Sequence, residues 1–162
     1  MTALDENLAR AEGYLATFRA DGVLNRIGGV SVPAESGETF ETLSPVDLSP
    51  LASVARGGAA DINAATAAAK EAFATWSKTS GAERRKILHN VADAIVARAE
   101  EIAFTECLDT GQALRFMSKA ALRGADNFRY FADQAPAAED GQALRTATQM
   151  NVTSRRPIGP VG

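Results

Sequence analysis

Gly37-Glu38-Thr39-Phe40-Glu41-Thr42-Leu43-Ser44-Pro45 is the stretch on which the reading of this chain turns. Thr, Phe and Leu favour an extended, half-buried backbone. The polar turn Glu35-Ser36-Gly37-Glu38 leads into Thr39–Leu43, and Ser44-Pro45 ends it, so a strand is expected. Upstream, Arg26-Ile27-Gly28-Gly29-Val30-Ser31-Val32 reads as a strand. Downstream, Leu51-Ala52-Ser53-Val54-Ala55 reads as a third. A small antiparallel sheet is the economical arrangement. Gly28-Gly29 and Gly57-Gly58 do not fit Gly-x-Gly-x-x-Gly, so turn or bulge duty is expected of them rather than phosphate binding.

Helical patterns flank this sheet. Before it, Leu4, Leu8, Ala11, Leu15 and Phe18 step by three and four, with Asp5, Glu6, Arg10 and Glu12 opposite and Asp21-Gly22 as the stop. After it, Ile62, Ala65, Ala69, Ala72, Phe73 and Trp76 form one stripe of an alanine-rich helix. Ser80-Gly81-Ala82-Glu83 spells a capping box. It opens a helix expected to carry Leu88, Val91, Ala92, Ile95, Ala99 and Ile102, closed near Gly111. A further helix is expected to hold Leu114, Met117, Ala121, Ala125, Phe128 and Phe131, with Pro136 limiting it. After Asp140-Gly141 the helical signal disappears, and Thr146, Thr148, Val152 and Thr153 suit a strand. Pro160-Val161-Gly162 reads like the approach to a buried strand.

Composition narrows the function classes. The chain has 162 residues, 46% hydrophobic, with 17 Lys and Arg against 20 Asp and Glu. That length supports a core, and no basic excess is available to neutralise a nucleic acid. The single cysteine, Cys107, and single histidine, His89, leave no disulfide and no cysteine- or histidine-built metal site. No apolar run nears the roughly 20 residues that span a bilayer, and the opening residues lack a signal-peptide pattern. A cytoplasmic setting is the default expectation, with neither a nucleic acid nor a membrane as partner.

Four stretches, taken in order, resemble the amino-terminal part of the NAD(P)-dependent aldehyde dehydrogenase superfamily. They are Gly37–Pro45; Ala67-Ala68-Ala69-Lys70-Glu71-Ala72-Phe73 leading to Trp76; Glu106-Cys107-Leu108-Asp109-Thr110-Gly111-Gln112; and Arg155-Arg156-Pro157-Ile158-Gly159-Pro160-Val161-Gly162. Three more, Val23–Gly29, Ser44–Leu48 and Met117–Ala125, resemble the branch of that family that oxidises semialdehydes from aromatic-compound breakdown. The resemblance implies an α/β fold in which small antiparallel strands and helices pack on a Rossmann-type domain, followed by an oligomerisation strand. Residues 1–140 would be the N-terminal helices and strands of the cofactor-binding domain. Residues 141–157 would be an oligomerisation hairpin segment, and 158–162 the start of the first Rossmann strand. It also implies a parent enzyme that takes a small-molecule aldehyde and NAD and assembles as a homodimer or homotetramer, with NADP left open.

In that family a cysteine thiolate attacks the aldehyde, N–H donors hold the oxyanion, the nicotinamide takes hydride and a glutamate activates water. The resemblance places those groups, and the cofactor glycines, beyond Gly162, so no catalytic or cofactor-binding residue is assigned here. Cys107, between Glu106 and Asp109, lacks the family's nucleophile context and is expected to be a packed structural cysteine. His89 has no cysteine or serine to serve and is expected on the surface or in helix packing. Arg84-Arg85-Lys86 reads as a solvated face offset by Glu83 and Asp93. Arg155 and Arg156 would alternate on a strand, one of them facing a neighbouring subunit's carboxylate. The resemblance further implies a monovalent-cation site using the carbonyls of Thr42 and Leu43 and Asp109, all hard oxygen ligands. Against this stands a simpler role for Asp109 in ending a helix before Gly111. A reading from a different class also stands: a non-enzymatic oligomerisation or interaction module that pairs by strand addition. Either way, three apolar helix stripes need a partner, and exposed apolar surface is expected.

Overall fold

The structure, a computed structural model, describes residues 2–139 and 141–161. Met1, Asp140 of the Asp140-Gly141 turn and Gly162 of the expected last strand lie outside that set. Helix α1 (Ala3–Asp21) begins on a capping box: Asp5 N–H donates to Thr2 Oγ1 (3.3 Å) while Thr2 N–H donates to Asp5 Oδ2 (2.7 Å). It stops at Gly22, whose φ of 68° suits a residue without Cβ. The chain then runs beside the strand holding Val54, with Val23 N–H donating to Ser53 O and Ala55 N–H to Val23 O, each 2.8 Å.

The single strand expected over Arg26–Val32 is instead a hairpin, β1 (Asn25–Ile27) and β2 (Val30–Val32). Gly28 and Gly29 both have positive φ, 59° and 84°, which is what a tight two-residue hairpin turn requires. β3 (Thr39–Leu43) and β4 (Pro50–Ala55) form the antiparallel pair expected around the opening motif. The two hairpins are separate two-stranded sheets rather than one sheet of three. In the β3–β4 link, Leu48 adopts φ 60°, a left-handed conformation that L side chains avoid.

Helix α2 (Ala59–Trp76) packs along β1, and Asp61 ties its start to the link between β2 and β3. The long helix expected from Ser80 divides into α3 (Gly81–Ala97) and α4 (Ala99–Thr110). Arg98 leaves the helical basin (φ −110°, ψ 19°), and its guanidinium forks onto Glu101 at 2.8 and 2.5 Å. Periodicity misses such a one-residue break, because Ile95, Ala99 and Ile102 still step by four and three across it. The next expected helix likewise divides, into α5 (Leu114–Met117) and α6 (Ala120–Gln134), just short of Pro136.

α1 lies against β4 and α4, α4 against α6, and α6 against α3. The α3–α6 seam is built of alanines: Ala92, Ala125 and Ala132 are 0% exposed, with Ala121 beside them. Side chains of one carbon let two helices approach closely. Phe128 and Phe131, expected on the packing stripe, sit at its edge and outside it, Phe131 being 65% exposed. Ile62, at 64%, and Trp76 are also exposed, and among the described residues no large side chain is completely buried.

A 3-10 turn (Ala137–Glu139) leads to the hairpin β5 (Ala143–Arg145) and β6 (Met150–Val152). The strand expected across Arg145–Ser154 folds back on itself because Thr146 Oγ1 accepts from Gln149 N–H (2.9 Å) and Thr146 N–H donates to Gln149 O (2.8 Å). Arg155 and Arg156 therefore lie past the strand, not alternating on it, and residues 158–161 form no regular element.

Candidate functional site

The opening motif and the Glu106–Gln112 motif, more than sixty residues apart (Thr42 to Asp109 is a separation of 67), meet in space. Thr42 near the end of β3 donates from Oγ1 to Asp109 Oδ1 in the last turn of α4, at 3.2 Å. Just beyond, Gly111 (φ 73°) ends α4, and a Cβ there would stand 3.0 Å from Pro45 Cγ. The same junction carries a bulge. Register passes from Thr42↔Ala52 to Leu43↔Pro50, so Leu51 has no partner. Pro50 also brings no N–H to that end of the ladder. Thr42 and Leu43 thus stand at an irregular strand end, with the Thr42 hydroxyl bonded to the Asp109 carboxylate.

Behind them a largely apolar cavity of about 390 Å³ opens between α1, the β3–β4 hairpin and α4, with Leu15, Phe40, Thr42, Leu51 and Asp109 on its wall. The arrangement offers hard oxygens to a small cation but no nucleophile–base pair. Among the described residues no group of three or more His, Cys, Asp or Glu side chains converges on a metal position.

Cys107 is half-buried one turn before Gly111. His89 packs between helices: its Nε2 lies 3.0 Å from Asp133 Oδ1 on α6. The same carboxylate oxygen accepts from Arg85 Nε at 2.8 Å. These bonds, His89 first and then Arg85, hold the Asp133 carboxyl below its ordinary range. Arg85 and Lys86 are exposed, as expected of a solvated face, but Arg85 also bridges to α6, and Asp93 pairs with Arg129 (2.9 Å), not with the Arg84–Lys86 run. Arg84 stacks over Trp76, 5.9 Å from its ring centre.

Two features escape the reading of the sequence. Asp61 is buried and accepts from Gly58 N–H (2.8 Å) and Glu35 N–H (3.0 Å), and the Gly58 bond leads in depressing its carboxyl pKa. An aspartate three residues after glycine at a helix start is the capping signal that could have found it. The other is the meeting of Arg84 with Arg155 and Arg156, clusters separated by some seventy residues, for which no local signal exists.

A mixed helix-and-hairpin fold in which two distant motifs meet goes with the class that residues 32–162 match: the aldehyde dehydrogenase family. The chain belongs to that family. It is 40% identical over 139 residues to acetaldehyde dehydrogenase 2 of Cupriavidus necator, covering 85% of this chain and 28% of that one. It is also 40% identical over 143 residues to 2-hydroxymuconic semialdehyde dehydrogenase of Pseudomonas sp. strain CF600, covering 84% and 29%. The crystal structure of HpcC from Thermus thermophilus superposes with a TM-score of 0.86 at 36% identity, covering 91% of this chain and 29% of that one. PnpE in complex with nicotinamide adenine dinucleotide gives a TM-score of 0.77 and PnpE from Pseudomonas sp. WBC-3 one of 0.76, each at 36% identity and covering 84% of this chain and 28% of that one. The chain spans less than a third of the length of these relatives.

Proposed function

We propose that this chain is the amino-terminal portion of an NAD-dependent enzyme that oxidises a semialdehyde to the acid, with 5-carboxymethyl-2-hydroxymuconate semialdehyde as substrate. The single observation that carries the reading is the junction of the two motifs, where Thr42 meets Asp109 at 3.2 Å. The semialdehyde relative and the NAD-bound relative support the substrate class and the cofactor. When bound, NAD supplies the hydride acceptor. Residues of this chain contribute a scaffold: α1, α4 and the β3–β4 hairpin form one wall, and the β5–β6 hairpin reaches outward toward another subunit. Residues 1–140 serve the cofactor-binding domain, 141–157 oligomerisation, and 158–162 lead into its parallel sheet. At the strand end, the Thr42 and Leu43 carbonyls with Asp109 hold a monovalent cation.

The test uses the open reading frame carried through whatever follows the Gly162 codon. Purified product should form NADH with the semialdehyde and do so with a higher kcat/KM than with acetaldehyde. No NADH with any aldehyde would overturn the enzyme reading, and a preference for acetaldehyde would overturn the substrate. For the cation, Asp109→Ala should abolish any stabilisation of thermal unfolding by potassium or sodium over choline. An unchanged dependence would overturn that site.

A further inference from the structure

Two basic segments far apart in sequence converge where the start of α3 meets the end of α6. Gly81 makes the approach possible: a Cβ there would stand 2.6 Å from Ala135 O and 2.7 Å from Pro136 Cα. The tight contact carries the Ala137–Glu139 turn over the start of α3, and Arg155 Nη1 donates to Ala138 O at 3.2 Å. Beneath lies a cavity of about 510 Å³ whose wall includes Lys78, Arg84, Arg155, Arg156, Ser77 and Thr79. Four of the lining side chains are cationic and, among the described residues, none is acidic. The nearby carboxylate of Glu83 is turned back into its cap, accepting from Ser80 N–H (3.2 Å) and Ser80 Oγ (3.0 Å).

Among the described side chains Lys78, Arg84, Arg155 and Arg156 form no salt bridge, whereas Arg19, Arg85, Arg98 and Arg129 each find a carboxylate. Arg84 Nη2 reaches Ser77 O at 3.4 Å, but its Nε is buried without an acceptor among the described residues. A buried donor left unmatched is costly, and like charges gathered round one cavity repel. An anion seated there would relieve the repulsion. Planar guanidinium forks fit phosphoryl oxygens, and the volume falls in the range of small-molecule sites, roughly 300–1,000 Å³. A single phosphate would leave much of it unfilled.

We propose that this cavity binds a multiply charged phosphate-type oxyanion with two linked phosphoryl groups, held by Lys78, Arg84, Arg155 and Arg156. Trp76 is the only tryptophan of the chain and stacks on Arg84, so it reports occupancy. The experiment titrates the full chain with inorganic pyrophosphate at constant ionic strength, following Trp76 fluorescence and heat release. A saturable one-to-one response is expected, with amide NMR shifts confined to residues 77–84, 155 and 156. The double variant Lys78→Gln/Arg156→Gln, at exposed positions, should bind at least tenfold more weakly, and Lys70→Gln on α2 within twofold of the unaltered chain. Titration with ADP identifies the source: tighter binding marks a nucleotide-borne diphosphate, weaker binding the free anion. Absence of saturation overturns the proposal. So does wild-type affinity in the double variant, or equal weakening by Lys70→Gln, which would mark unspecific charge attraction.

Discussion

Asp133 is where a single residue joins two helices. Its carboxyl is held low by the His89 and Arg85 hydrogen bonds, so its contribution to stability is present above the ordinary aspartate value of 3.8. That contribution disappears as pH falls through the lower folded value. Asp133→Asn should therefore lower the thermal midpoint at neutral pH and flatten the acid limb of the stability profile. Melting curves from neutral to strongly acidic pH check this; an acid limb as steep as that of the unaltered chain would count against it. Leu48 offers the opposite case. It is 71% exposed and held at φ 60°, so Leu48→Gly removes strain at little packing cost. A gain of about 1 kcal/mol is expected in urea unfolding.

At the scale of elements, the capping box at Ser80 is legible in the sequence because its chemistry is local: hydroxyl, glutamate and two N–H groups within four residues. Ser80→Ala should cost about 1 kcal/mol in denaturant unfolding. Helix existence and the β3–β4 pair are legible for the same reason. The Gly28-Gly29 hairpin passes for one strand because a two-residue turn leaves the apolar pattern on either side almost intact. The break at Arg98 escapes because the apolar steps pass through it unchanged. The α3–α6 pairing escapes because partner choice is not local, although Ala92, Ala121 and Ala125 stand in the expected stripes and Ala132 alone of the seam does not. Of the candidate site, Thr42 and Asp109 are reached through family resemblance alone, since a residue separation of 67 leaves no periodic trace. Gly81→Ala sets propensity against geometry. Alanine favours the helix by roughly 0.5–1 kcal/mol over glycine. The added carbon would nevertheless meet backbone at 2.6 Å, so net destabilisation is expected in urea unfolding. A stabilised variant would show that α6 moves aside freely.

For the molecule as a whole, exposed Ile62, Trp76, Tyr130 and Phe131 leave broad apolar surface on α2 and α6. A hydrophobic dye should fluoresce strongly with the 162-residue chain, and sedimentation should show self-association that increases with concentration. A dark, monomeric species would contradict both. Among the described residues no helix is long and apolar enough to cross a membrane, so this surface is not a helical bilayer span. The alanine-lined joint between α3 and α6 has a mechanical corollary. Such a hinge has no slack on one side: any longer side chain at Ala92, Ala125 or Ala132 must push the helices apart. Because the turn after α6 roofs the basic chamber and anchors Arg155, that push would widen its aperture and draw one guanidinium away. Spacing set by single-carbon side chains within a helix pair would thus bear on how closely distant cations gather around that chamber.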